Sequence, residues 1–252
     1  MGSLARSSRR SRGAPRYRAV VTDVDGTLTD AHRRLDPRAA EWIRRLEGSG
    51  VPVILATGNV LPIALALHRS LGLSGPIVAE NGGLLYRCMD GREIVVRLAD
   101  RRPALAGYRA LRAAGLPVRR LFTDRWRETE VAIEPTVSLG RIRTVLGRLP
   151  VRAEGTGYAI HLMERGAGKL PALRQALRPL GLAPADCVVL GDGDNDVPML
   201  RAAGFGVSFA SGSARARRAA GFVAASRYGE GFVEGLKASG VLRTIGSPPG
   251  GN

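Results

Sequence analysis

A chain of 252 residues, 44% hydrophobic and 24% charged, is long enough to bury one large or two modest cores without staples. Its two cysteines, Cys88 and Cys187, exclude a disulfide framework or a cysteine-based metal site and are expected as buried structural thiols, while His32, His68 and His161 show no HExxH spacing and argue against zinc. The formal charge of +16 raises nucleic acid as a partner, but the cations, nearly all arginine, run along the whole chain, so a basic exposed surface is the stronger reading.

Residues 1–15, rich in Ser, Arg and Gly, are expected as a flexible basic tail. No apolar run approaches the ~18 residues of a membrane span, and no apolar signal core stands at the amino terminus, so a cytoplasmic protein without a membrane partner is expected. Ala19-Val20-Val21 reads as a buried strand, followed by a helix that Asp36 caps and Pro37 starts, with Ala39, Ala40, Ile43 and Leu46 on its apolar face. The apolar strand at 51–56 and a helix over 60–71 repeat the pattern, and 76–79 supplies a third strand. This alternation predicts a parallel sheet with crossover helices.

From about residue 84 the rhythm changes. Two strand-like runs flank Asp90-Gly91 as a hairpin; a helix over 103–114, strands at 118–122 and 129–133, a helix over 138–149 and strands at 151–155 and 158–163 follow. These form an α+β insert, expected at 84–161, within a core expected at 16–83 and 162–244. The core rhythm returns with helices over 168–180 and 197–203, an apolar strand at 187–190, two further strand runs at 205–210 and 221–226 and a last helix ending near residue 241; 245–252 reads as a tail.

Four polar clusters close strands or open helices: Asp23-Val24-Asp25-Gly26-Thr27, Thr57-Gly58-Asn59, Gly166-Ala167-Gly168-Lys169, and Gly191 to Asp196 with its alternating Asp192, Asp194 and Asp196. In open parallel sheets that edge is where ligands bind. Continued strand alternation would point Asp23 and Asp25 the same way, and carboxylates so placed need a cation, a shared proton or solvent. Each cluster has a plainer explanation: a turn for the first, a helix cap for Thr57, a solvated surface for a lone Lys169. A P-loop fails because Leu170 stands where Ser or Thr is required. A calcium loop fails because Val197 replaces its glycine and Ala203 its glutamate. Three acids beside a buried strand end still favour a metal ion.

Taken together, the four clusters in this order and separation resemble the motifs of the haloacid dehalogenase (HAD) superfamily of phosphatases. The insert between the second and third resembles that of its type IIB, or Cof-like, branch. The runs Ala56 to Leu61, Ala79 to Gly83, Arg127 to Pro135 and Gly191 to Leu200 are similar to those of archaeal-type phosphoglycolate phosphatases. The resemblance implies an α/β HAD-like Rossmannoid core, with a parallel central sheet and helices on both faces, plus an inserted α+β (type C2) cap.

It implies Asp23 as nucleophile and Asp25 as general acid and base. Mg²⁺ would be held by Asp23, the Asp25 backbone carbonyl, Asp192 and Asp196. Thr57, Gly58 and Lys169 would bind the phosphoryl group, with Asn195 orienting the network. The implied activity is hydrolysis of a small phosphorylated metabolite, 2-phosphoglycolate first, with a sugar-phosphate phosphatase or a phosphomutase as alternatives and a nucleic-acid-binding module as the alternative of another class. A carboxylate substrate would want a cation from the cap, for which Arg125, Arg127 and Arg165 stand equal, and a homodimer through cap or core is compatible with the sequence.

Overall fold

The structure, a computed structural model, describes residues 17–241. The expected tails at 1–15 and 245–252 lie outside the described residues. In chain order the elements are β1 (Ala19–Thr22), α1 (Pro37–Gly48), β2 (Val53–Ala56), α2 (Leu61–Leu71), β3 (Ile77–Ala79), β4 (Leu84–Met89), β5 (Arg92–Arg97) and α3 (Arg101–Ala113). Then come β6 (Val131–Ile133), α4 (Leu139–Leu146), β7 (Val151–Gly155), β8 (Ile160–Glu164), α5 (Lys169–Leu177), β9 (Cys187–Leu190), α6 (Val197–Ala202), β10 (Phe205–Phe209), α7 (Ala214–Ala219), β11 (Phe222–Ala224) and α8 (Tyr228–Ser239).

The large sheet runs β11-β10-β9-β1-β2-β3-β4-β5. Its first six strands are parallel, and β4 and β5 close one side antiparallel. Strands β1, β2, β9 and the first three residues of β4 are buried throughout, as expected of a sheet covered on both faces. One face packs Ile43 and Leu46 of α1, Leu61 and Leu71 of α2, and Phe232 and Leu236 of α8. The opposite face packs Leu173 and Leu177 of α5, Met199 and Leu200 of α6, and Ala216 of α7. Local chemistry sets the helix ends. The Asp36 carboxylate accepts from Arg38 N at 2.8 Å ahead of Pro37, and Gly72 closes α2 in the left-handed conformation.

A second sheet, β6-β8-β7, is antiparallel and carries α3 and α4 on a separate core of Leu111, Ile133, Ile142 and Leu162. The change of sheet does not fall at residue 84. The β4–β5 hairpin continues the large sheet, because β4 pairs with β3 from Ile77–Tyr86 to Ala79–Leu84. The strand expected at 118–122 is reduced to one bridge, Arg120 to Ile133, followed by a 3₁₀ turn at Phe122–Trp126. Asp124 folds that turn back, its Oδ1 accepting from Ala132 N at 2.8 Å. Gly147, at φ +48°, ends α4 short of the expected 149. Cys187 is buried as expected, but Cys88 is exposed because it sits on the outer part of the hairpin.

From β1 the chain moves one way to β2 and β3, and from β9 the other way to β10 and β11. The carboxyl ends of β1 and β9 thus form the point where the strand order reverses, the usual ligand crevice of such sheets.

Candidate active site

Asp23 leaves β1 with its backbone N–H bonded to Leu190 O at 3.0 Å, so the loop stays pinned to β9. Lys169, the first residue of α5, points its fully buried Nζ at Asp23 Oδ1 (2.6 Å) and Asp196 Oδ1 (2.7 Å). Carboxylate oxygens of Asp23, Asp192 and Asp196 lie within 4.8 Å of one another. Gly26 permits this approach: it stands at φ +82°, and a Cβ there would meet Asp192 Oδ2 at 2.5 Å.

One ammonium faces three carboxylates, and the imbalance is visible in their acidities. Burial, then Asp196, pushes Asp192 up to about 7. Burial also raises Asp23 well above the usual carboxylate range, with Asp196 and Asp192 adding to it against the opposing pull of Lys169. Burial alone would lower Lys169, but Asp196 and Asp23 outweigh it and raise it. An all-oxygen donor set with surplus buried negative charge fits a hard divalent cation.

Asp25 takes a different direction from Asp23. The strand ends at Thr22, and the backbone N–H groups of Thr27, Leu28 and Thr29 all turn back onto Val24 O, so the strand alternation does not reach Asp25. Its Oδ2 accepts from Asn59 Nδ2 at 2.6 Å and its Oδ1 from Arg33 Nε at 3.1 Å. Thr57 does not cap α2, whose N-cap is Val60; its Oγ1 instead accepts from Asn59 N at 3.0 Å. Gly58 lies against the amide of Asn81.

Asn195 donates to Asn81 Oδ1 at 3.0 Å, and Asn81 Nδ2 donates to Glu130 Oε2 at 3.1 Å. Glu130 Oε1 meets Arg127 Nη1 and lies 2.8 Å from His161 Nδ1, while Arg127 Nη1 also donates to Gly58 O at 2.9 Å. A buried polar chain therefore joins the fourth motif, the second motif and the small sheet. Asn81, Glu130 and His161 were not among the expected site residues. Asn81 stands at φ +52°, so an asparagine followed by two glycines is its only local signal. Asp194 turns away from the carboxylate cluster to Ser213 Oγ (2.6 Å) and Arg215 Nη1 (3.0 Å).

A cavity of about 820 Å³ opens over these groups, lined by Asp23, Asp25, Asn59 and Asp192 on the large-sheet side and by Tyr158 and His161 on the small-sheet side. All eight expected site residues, Asp23, Asp25, Thr57, Gly58, Lys169, Asp192, Asn195 and Asp196, lie at the carboxyl ends of β1, β2 and β9 or at the start of α5.

The family profile of haloacid dehalogenase-like hydrolases matches residues 20–111 and 148–236. The chain belongs to that family. Among HAD-like relatives, a phosphoglycolate phosphatase of Methanoculleus marisnigri is 37% identical over 226 residues, 87% of this chain and 95% of the relative. A solved structure from Thermoplasma acidophilum superposes with a TM-score of 0.80 at 27% identity, covering 89% of this chain and 99% of that one. A HAD subclass IIB sugar phosphatase shares the fold, with a TM-score of 0.72 at 17% identity over 89% of this chain and 99% of its own. No helix among the described residues of this HAD-like hydrolase is long and apolar enough to cross a membrane.

Proposed function

We propose that this hydrolase is a Mg²⁺-dependent phosphomonoesterase that acts through an aspartyl-phosphate on Asp23, with 2-phosphoglycolate as its substrate. The observation that carries the reading is the buried Lys169 ammonium 2.6 Å from Asp23 and 2.7 Å from Asp196, beside a third carboxylate, at the sheet's reversal point. A purely structural ion pair has no need of the surplus acid.

In the first step an Asp23 carboxylate oxygen attacks phosphorus; the bond to the ester oxygen breaks, and the leaving alkoxide takes a proton from Asp25. Asp25, now the base, removes a proton from water, which attacks the same phosphorus, releases phosphate and restores the Asp23 carboxylate. The hold of Asn59 on Asp25 Oδ2 at 2.6 Å fixes that acid away from the nucleophile's own cluster. Thr57 Oγ1 and the amide after it receive the phosphoryl oxygens, with Lys169 offsetting their charge. Asn195, through Asn81, keeps the fourth motif in register. Asp23, Asp192, Asp196 and the Asp25 carbonyl would hold Mg²⁺, whose chemistry here is to shield the phosphate dianion from the carboxylates.

The 37%-identical relative named phosphoglycolate phosphatase supports the choice of substrate. The three-stranded unit, facing the carboxylates across the cavity, acts as the cap, and the proposal includes a cytoplasmic setting. The breadth of the cavity favours a sugar phosphate as the second reading. Phosphate release from 2-phosphoglycolate, sugar phosphates and nucleotides, in Mg²⁺ or EDTA, tests this. Release is expected to need Mg²⁺ and to vanish in Asp23→Asn; no release from any ester by folded protein rejects the reading.

A further inference from the structure

The cavity's charged wall on the large-sheet side is mostly acidic. Asp23, Asp25 and Asp192 line it, and Arg33, the cation on that side, is bonded to Asp25 at 3.1 Å. A substrate with a carboxylate next to its phosphate therefore needs a cation from the opposite wall, close to the loop that holds the phosphoryl group.

Arg127 stands there. It is 4% exposed, lines the cavity and reaches Gly58 O at 2.9 Å, next to the Thr57 loop. Its Nε is buried without a hydrogen-bond partner among the described residues, a donor that a native interior rarely leaves unmatched. His161, on β8, lines the same wall; its Nδ1 is committed to Glu130 at 2.8 Å, which leaves Nε2 for a ligand. Glu130, itself 1% exposed, thus fixes a guanidinium and an imidazole side by side. With both ring nitrogens protonated, Nδ1–H to Glu130 and Nε2–H to the ligand, His161 beside the Arg127 guanidinium suits a planar carboxylate. The two other arginines that sequence left equal are occupied elsewhere: Arg125 stacks 4.1 Å from the Phe122 ring centre, and Arg165 holds Leu149 O at 3.0 Å and Gly147 O at 2.9 Å.

We propose that Arg127 and His161 form the subsite that binds the substrate's carboxylate, selecting short phosphorylated hydroxy acids over uncharged phosphate esters. The proposal rests on the phosphomonoesterase reading above and names the residues that give it specificity.

The test compares kcat/KM for 2-phosphoglycolate and for ethyl phosphate, which has a similar size and no carboxylate, in the native protein, Arg127→Lys and His161→Gln. Lysine keeps a cation beside Glu130, and glutamine keeps a polar group at 161, so both variants are checked for native-like melting first. The native preference for the acid is expected to fall roughly 10- to 100-fold in each variant, mainly through KM of the acid, the size of a charged hydrogen bond lost. A parallel fall for both esters would mark a merely structural role and overturn the proposal, as would a preference unchanged in both folded variants. Native release from both esters without preference for the acid overturns the subsite alone. Native release from neither overturns the phosphomonoesterase reading and the subsite with it.

Discussion

Lys169 Nζ lies 2.6 Å from Asp23 Oδ1 while the lysine side chain is wholly buried, so the proposed nucleophile and its counter-charge are in direct contact at the cavity wall. Removing the ammonium leaves buried carboxylates unpaired and, on the proposed mechanism, takes away the charge that offsets the phosphoryl oxygens. Lys169→Gln is expected to lower kcat about 10²- to 10³-fold. It should also lower the stability in EDTA by about 3 kcal/mol, read from urea unfolding. Full activity in that variant would remove Lys169 from the mechanism.

The three carboxylates within 4.8 Å predict a metal-dependent stability. The Tm of the native protein should rise as Mg²⁺ is added to EDTA-treated protein, the gain reaching about 2.7 kcal/mol at a hundred times the Kd. Asp192→Asn should lose that gain yet melt no lower than the native protein in EDTA, since it removes a carboxylate that burial and Asp196 already disfavour. Differential scanning calorimetry with and without Mg²⁺ separates the two effects.

The reversal point of the sheet and the convergence of four motifs were legible because each depends on local pattern: an apolar strand, then small or acidic residues, then a helix. What was not legible depends on partners distant in sequence. The β4–β5 hairpin reads the same whichever sheet it joins, and only the pairing of Leu84 with Ala79 decides. The alternation of Asp192, Asp194 and Asp196 did not reveal that Asp194 would turn to Ser213 and Arg215. Glu130 carries no pattern of its own; its role comes from Asn81, 49 residues earlier, and His161, 31 residues later. Arg33 is hidden for a local reason: its contact with Asp25, eight residues earlier, needs a left-handed turn at φ +63° that an arginine does not signal.

Glu130 is held down to about 2 from an ordinary 4.5: burial opposes the charge, but His161 and Arg127 outweigh it. The folded value lies below the unfolded one, so this carboxylate's contribution is full above pH 4.5 and is lost as pH falls through about 2. It amounts to about 3 kcal/mol. Glu130→Gln should therefore lower stability at pH 7 by about that amount and flatten the loss between pH 4.5 and 2, as urea unfolding at a series of pH values would show. An unchanged acid limb would mean that other carboxylates govern it.

Gly82, next to Asn81 whose N–H bonds Thr57 O of the second motif at 3.0 Å, meets the third motif through backbone alone. It stands at φ +98°, and a Cβ there would overlap the carbonyl of Gly168, the residue before Lys169. Gly82→Ala must therefore either shift the start of α5 or strain its own turn. Strain of this kind costs about 1–3 kcal/mol, and any shift moves the Lys169 ammonium away from Asp23. The expected outcome is a drop in kcat of about 100-fold, accompanied by lower thermal stability, with Mg²⁺ still raising Tm because Asp23, Asp192 and Asp196 keep their places. Gly91→Ala provides the contrast: that glycine also has positive φ (+72°), but a Cβ there meets nothing within 4 Å among the described residues. Its loss should cost stability at the hairpin and leave kcat unchanged, so a similar fall in kcat for both variants would refute the coupling through Gly168.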